Sequence, residues 1–304
     1  HAIFKNAQAD SQVEIIEEGV ENFLSPNQAF QAGQTFLTSR DKNKPFALLI
    51  NFNLPHDFGT RSMALRKSDL SLYKDTYRDQ AAKLSPPVTY IAQKDIQESK
   101  LPSNVYNGDY ISIYDYVKTE EGLRERQVRT LQAISGIDKL IGKLMSTLKE
   151  QGVADNTIIV FTSDHGLAVG KHGLAGKQSV YDHSIRAPFI MVGDGIPKNT
   201  RAKGMFYLNS IFATTAELAG IDAPESLQGP SIMPIVRGEK TVMNDYIYGS
   251  YRHFQRMARS HRYKLVYYPL LKRNVLFDLK NDPWEMHDIS KEEGSDKIIK
   301  ELTA

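Results

Sequence analysis

The chain contains no cysteine. Disulfides, thiolate metal sites and a cysteine nucleophile are therefore all excluded, although the absence does not fix a compartment. No apolar run reaches the length of a membrane-spanning helix. A net charge of +2 is no large excess of either sign, so bulk electrostatics imply no nucleic-acid partner. Internal repeats and low-complexity tracts are lacking as well. The first residues, His1-Ala-Ile-Phe-Lys-Asn6, carry neither an initiator methionine nor a basic-then-apolar leader pattern. They read as a chain that begins within a longer protein.

What is present is enough to bury a large core. The 304 residues are 41% hydrophobic, which suits one big α/β domain or a main domain with a small companion. Ser25-Pro26 reads as the cap and first residue of a helix extending to about Ser39. Phe46–Phe52 is a continuous apolar run of the kind expected for a buried parallel strand, ending at Asn53-Leu-Pro-His-Asp57. The polar stretch 59–117 reads as a long surface excursion with short helices. Leu123, Val128, Leu131, Ile134, Ile137, Leu140, Ile141, Leu144 and Leu148 recur at helical spacing. Gly152 ends that helix, and the Thr157–Ser163 strand follows. A helix leading into a strand favours a βαβ unit and a parallel sheet. Ala187–Val192 reads as another short core strand, and Leu208–Ala219 as a helix closed by Gly220. After Gly238 the pattern changes. Tyr246–Tyr251, Gln255–Arg259, Tyr263–Tyr268 and Val275–Asp278 alternate over short lengths with turns between, which predicts a small antiparallel sheet. The predicted organisation is a 1–238 α/β domain and a 239–304 subdomain closed by a helix beyond Lys291.

The chemistry gathers where the Thr157–Ser163 strand ends, at Asp164-His165-Gly166. At the carboxyl end of a parallel strand, side chains project into the crevice where α/β proteins bind ligands. A carboxylate suits Ca²⁺, Mg²⁺ or Zn²⁺, and an imidazole suits Zn²⁺ better without excluding Ca²⁺. The same three residues can also be an Asx-type turn that closes the strand. Gly166, Gly170, Gly173 and Gly176 let the next loop approach a ligand, and Lys171, His172 and Lys177 give it charge. A lysine at position 177 can meet a tetrahedral oxyanion as a point charge, whereas Lys171 reads as solvated. His56, after Pro55, falls at the end of the other predicted strand and can serve as general acid or anion donor. Asp182 and Arg186 read as scaffold that ties the loop down.

These residues, taken in order, resemble the sulfatase family of the alkaline-phosphatase-like superfamily. The resemblance covers Lys44-Pro-Phe46 with Pro55-His-Asp57, then Asp155–Gly166, Gly170-Lys-His-Gly173, Lys177 and Ser184–Phe189. It ends on Leu276-Phe-Asp-Leu-Lys-Asn-Asp-Pro283 with Glu285. It implies a mostly parallel sheet sandwiched by helices, plus a small C-terminal antiparallel sheet. It implies sulfuric ester hydrolysis with one divalent ion, usually Ca²⁺, held in part by Asp164 and His165. His56 and Lys177 fall on sulfate-contacting positions, with His56 or Lys177 as proton donor to the leaving alcohol. His172 falls in a substrate-facing loop. A sulfated carbohydrate is the expected substrate, with Tyr73, Tyr77, Arg252 and His253 as candidate contacts. A periplasmic or secreted location is implied in the same way.

The departures concern the family's N-terminal half. No Cys- or Ser-x-Pro-x-Arg motif, the source of the formylglycine nucleophile, occurs in the sequence, and the paired aspartates of the first strand are missing. The expectation is a fragment, inactive alone: either a proteolytic product, or one chain of a nicked enzyme whose complementary N-terminal chain carries formylglycine and the remaining metal ligands. Two rival expectations stand beside it. One is a phosphoesterase of the same superfamily with two zinc ions. The other is a non-catalytic carbohydrate-binding remnant.

Overall fold

A computed structural model describes residues 26–52, 77–91, 119–174 and 176–304. His56 and Tyr73 lie outside the described residues. The chain packs as two compact units, one formed by residues 26–52, 77–85 and 121–157, the other by 86–91, 119–120, 158–174 and 176–304.

The first unit is built on two helices, α1 (Pro26–Ser39) and α2 (Glu120–Glu150). In α2, Leu123, Val128, Ile137, Leu140, Leu144 and Leu148 are buried, as their spacing predicts, while Ile134 faces solvent. The run 46–52 forms no ladder among the described residues. Its side chains alternate between half-buried and exposed, and it lies against α1: the Phe46 ring meets Phe36 edge-on at 5.9 Å. Ile50 sits on Gly33, where a Cβ would come within 2.7 Å of its Cδ1. An unbroken apolar run thus identified a packed segment but not its pairing partner.

The second unit carries the candidate chemistry. Strand β1 (Ile159–Thr162) pairs with β2 (Phe189–Val192), Thr162 opposite Phe189. This pair is antiparallel, because the chain turns back between the strands through a glycine-rich loop and the short helix α3 (Asp182–Ile185). The helix-then-strand argument does not constrain that neighbour. Helix α4 (Ser210–Ala219) ends where Gly220 turns left-handed at φ 67°, its N–H and that of Ile221 closing on the last carbonyls. A single turn, α5 (Met233–Val236), follows with its Pro at the helix start.

The predicted C-terminal sheet forms as an antiparallel meander of β3 (Ile247–Tyr251), β4 (Gln255–Arg259), β5 (Tyr263–Tyr268) and β6 (Arg273–Asp278). One face packs on Ile298, Ile299 and Leu302 of the closing helix α6 (Ser295–Thr303). The other face, with Met257, Val266, Tyr268, Val275 and Phe277, shares one core with Ala168, Leu174, Val180 and Tyr181. The hydrophobic core therefore runs across the 238/239 boundary. The sheet is the floor on which the glycine-rich loop rests. Among the described residues no helix is long and apolar enough to cross a membrane.

Candidate functional site

Strand β1 stops because the next residues satisfy their backbones locally. Asp164 Oδ1 accepts the His165 N–H at 3.0 Å, and Gly166 donates its N–H to Ser184 O at 2.8 Å, across to α3. Gly166 is required there, since a Cβ would stand 2.1 Å from the His183 carbonyl oxygen. The Asx-type contact and a ligand-facing role coexist, for only Oδ1 is used in the turn. The Asp164 side chain is 85% exposed and the His165 side chain 28%.

The His165 ring is fixed on both nitrogens. Nδ1 lies 3.0 Å from Gly166 O, and a carbonyl can only accept, so Nδ1 carries the proton. Nε2 then presents its lone pair, 2.6 Å from Lys177 Nζ and 3.3 Å from Asp164 Oδ2. A carboxylate oxygen and an imidazole lone pair at that separation repel unless a cation lies against them. The Lys177 ammonium is one such cation.

A divalent ion fits the same donors. Two ligand atoms about 2.3–2.4 Å from a Ca²⁺ and at a right angle are about 3.3 Å apart. A protonated Nδ1 held by a carbonyl is also the usual support of a metal-bound Nε2. Asp164 and His165 thus present two donor atoms of the kind such an ion takes. Among the described residues no group of three or more His, Asp or Glu converges on one point. The nitrogen that such an ion would take is in contact with Lys177 Nζ.

His172 lies in the glycine-rich loop with its side chain turned inward. Its ring is enclosed (5% exposed), stacked on Tyr181 at 4.2 Å and hydrogen-bonded to the Trp284 backbone. Its N–H donates to Thr89 O at 2.9 Å, and its φ of 54° is left-handed. Burial holds it neutral, with a pKa down at about 4. His183, 5.8 Å from His172, is lowered to about 3 by burial and by that neighbour. His172 underpins the loop rather than lining its surface. Lys171 is not simply solvated, since its Nζ lies 5.6 Å over the Trp284 ring. Arg252 sits in the β3–β4 turn at φ 47°, and His253 packs beside Phe254. Tyr77 belongs to the first unit, where its hydroxyl meets Ser135 Oγ at 3.0 Å.

Sequence reasoning marked Asp182 as scaffold but missed its partners. Arg259 Nη1 reaches both carboxylate oxygens, at 2.7 and 2.8 Å, and Lys264 Nζ reaches Oδ1 at 3.0 Å. Glu285 takes Lys264 Nζ on Oε1 at 2.5 Å and the Asp182 N–H on Oε2 at 2.8 Å. Burial pushes Asp182 up, but Lys264 and Arg259 outweigh it and hold the carboxyl below its ordinary range. For Glu285 burial wins over Lys264, and its pKa is raised. The Lys264–Phe277 alternation of the sheet was legible, whereas a lysine at an inward position was the one available signal of a buried charge.

Comparison with known proteins gives these positions a frame. The family described as Sulfatase matches residues 2–221, more than half of the chain. The C-terminal family of N-sulphoglucosamine sulphohydrolase matches residues 170–304. An N-acetylglucosamine-6-O-sulfatase of Bacteroides thetaiotaomicron is 26% identical over 95% of the chain. The chain spans 61% of that relative's length. A solved protein in complex with its substrate D-glucosamine-2-N,6-O-disulfate superposes with a TM-score of 0.72 at 22% identity, over 95% of this chain and 69% of the other. A phosphonate monoester hydrolase of Agrobacterium radiobacter gives 0.71 at 19% identity, over 99% and 67%. These likenesses show the fold, which is alkaline-phosphatase-like α/β with a small C-terminal antiparallel sheet.

Proposed function

The chain belongs to the sulfatase family, and on that footing we propose that the complete protein hydrolyses the sulfuric ester of a sulfated carbohydrate. The observation that carries this reading is the meeting of Lys177 Nζ with His165 Nε2 at 2.6 Å, beside the exposed Asp164 carboxylate. It joins a cation suited to a sulfate oxygen and two ligands suited to a divalent ion. That ion, Ca²⁺ in this proposal, supplies charge neutralisation at the non-bridging oxygens when bound.

The chain's own residues have separable tasks. Asp164 and His165 hold part of the metal site. Lys177 donates to a sulfate oxygen on which charge develops during attack, an interaction stronger in the transition state than in the ground state. The proton of the departing alcohol comes from His56 or from Lys177. The likeness of the N-acetylglucosamine-6-O-sulfatase supports a sulfated amino sugar as the substrate class. Formylglycine, the family's nucleophile, belongs in this proposal to a segment outside these 304 residues, on the same polypeptide or on a complementary N-terminal chain. A secreted or periplasmic location goes with the family resemblance.

The test is turnover by the complete protein on p-nitrophenyl sulfate and on glucosamine 6-sulfate, with p-nitrophenyl phosphate alongside. Sulfate release with one bound Ca²⁺ is expected. A preference for the phosphate ester with two bound zinc ions makes it a phosphoesterase. Sugar binding without hydrolysis, despite a formed formylglycine, makes it a carbohydrate-binding remnant.

A further inference from the structure

The buried charges beneath the glycine-rich loop reach the candidate site through a short chain of contacts. Lys264, in the middle of the C-terminal sheet, has no solvent-exposed surface (0%). Its ammonium lies between Asp182 and Glu285, and Arg259 closes the cluster on Asp182. Two cations face two carboxylates, so the cluster is neutral as a whole. Asp182 is the first residue of α3, and its own N–H is held by Glu285. Both ends of its peptide environment are therefore set by residues of the C-terminal sheet and tail.

From Asp182 the turn 181–186 closes on itself. Ser184 and Ile185 donate to Tyr181 O at 2.9 and 3.1 Å, and Arg186 donates to Asp182 O at 3.0 Å. That turn then touches both halves of the candidate site. Ser184 O accepts the Gly166 N–H at 2.8 Å, in the residue next to His165. Ser184 Oγ meets Ser179 Oγ at 3.1 Å, and the Ser179 N–H is bonded to Lys177 O at 2.9 Å. His183 Nε2 meets the same Ser179 hydroxyl at 3.2 Å. Gly166 has no room to slide, because the His183 carbonyl already fills the place of a Cβ.

We propose that Lys264 is a positioning residue: by fixing Asp182 and Glu285 it sets the 181–186 turn, and through Ser184 it holds His165 and Lys177 in register. The proposal rests on the reading of His165 and Lys177 as site residues. Its physical basis is that a buried charge group tolerates few arrangements. Removing one partner leaves the others uncompensated in a dry environment, so the turn must shift to find water or a new donor. A shift of the turn moves its carbonyl at Ser184 and its hydroxyl at the same residue, and both site loops lose their common brace.

Amide hydrogen exchange tests this without substrate or metal. The probe is the Gly166 N–H, referenced to the Ile221 N–H, which is bonded to Ala216 O at the end of α4. In Lys264→Met the Gly166 amide is expected to exchange at least tenfold faster relative to Ile221 than in the wild type. In Glu285→Gln, which keeps an acceptor for the Asp182 N–H, the same change in the same direction is expected. Global destabilisation alone speeds both amides together, and that result overturns the proposal. If Lys264→Met does not fold, Glu285→Gln decides by the same ratio. In the complete protein, Lys264→Met is expected to lower kcat for p-nitrophenyl sulfate about tenfold, with partial recovery in Lys264→Arg. A wild-type protein with no sulfatase turnover overturns the functional reading, while the exchange ratio still decides the positioning.

Discussion

Lys177 Nζ stands 2.6 Å from His165 Nε2, so one ammonium occupies the nitrogen that a metal would use. Two opposite effects follow from one substitution. Lys177→Met removes a like charge from the metal's neighbourhood and is expected to tighten Ca²⁺ binding by the chain about tenfold or more, since charges a few ångströms apart interact by several kcal/mol. In the complete protein the same change is expected to lower kcat/KM for an aryl sulfate by about 10²–10³, as for loss of one oxyanion donor. Titration calorimetry and steady-state kinetics read the two effects. A variant that loses both, or neither, contradicts the shared-nitrogen geometry.

Asp164→Asn should weaken divalent binding while leaving the turn intact, because an amide oxygen still accepts the His165 N–H. About tenfold or more is the expected loss, by analogy with residues that only support metal ligands. Unchanged affinity would remove Asp164 from the ligand set.

Gly166→Ala tests the brace between β1 and α3. A methyl group 2.1 Å from His183 O forces backbone to move, and nothing flexible is available to yield. A cost of about 2–4 kcal/mol is expected, in the range of severe local strain and lost packing. Urea unfolding measures it; a cost below about 0.5 kcal/mol would mean that the strand end is free to shift.

The buried imidazoles make stability depend on acid. His172 and His183 have folded pKa values of about 4 and about 3, against 6.5 when unfolded. Below 6.5 the unfolded chain binds protons that the folded chain refuses, so stability falls as pH drops from there toward 3. The slope approaches about 1.4 kcal/mol per pH unit for each histidine. Glu285, raised by burial, works in the opposite sense, and Asp182, lowered by Lys264 and Arg259, adds to the loss only in the acid carboxylate range. Urea midpoints between pH 8 and pH 4 check the slope, which His172→Phe should roughly halve. A flat profile in the wild type would show that neither ring is held neutral.

Phe277→Ala should do more than lower stability. Phe277 is buried in the core shared by the C-terminal sheet and Tyr181, the two rings 6.2 Å apart. About 3–5 kcal/mol is expected from the lost burial and the cavity left behind. Leu276 points to the opposite face, toward α6, and Leu276→Ala should cost about 2–5 kcal/mol without loosening the loop. Exchange at the Gly170 amide, bonded to Leu174 O, separates the two variants.

The C-terminal meander was legible because each strand alternates and each turn carries its own signal. All four strands begin and end close to where the alternation places them. Helix α2 was legible for the same reason, since Leu123 through Leu148 repeat with its period. Pairing was not legible. Nothing local to Thr157–Ser163 states that Phe189–Val192 will run antiparallel beside it, and the apolar run 46–52 has no ladder among the described residues. At the site, Asp164, His165 and Lys177 stood out because charge follows an apolar strand directly. Their convergence through Nε2 was invisible, as it depends on how a glycine-rich loop folds back. The burial of the His172 ring against Tyr181 and Trp284 was not legible either, since neither partner is set by the loop's own sequence. The partners of Asp182 lie 77 to 103 residues away, beyond any spacing argument.

Glu285 grips the Asp182 peptide from 103 positions downstream. During synthesis the loop bearing His165 and Lys177 therefore leaves the ribosome long before the residues that brace it. The nascent chain must carry that loop unbraced until the last sheet strands and the tail have emerged. Premature termination between Arg186 and Glu285 would leave the loop present in full and still without its anchor. A nonsense variant at a position from 187 to 285 is in that sense a lesion of the candidate site, even though it removes none of the residues that compose it.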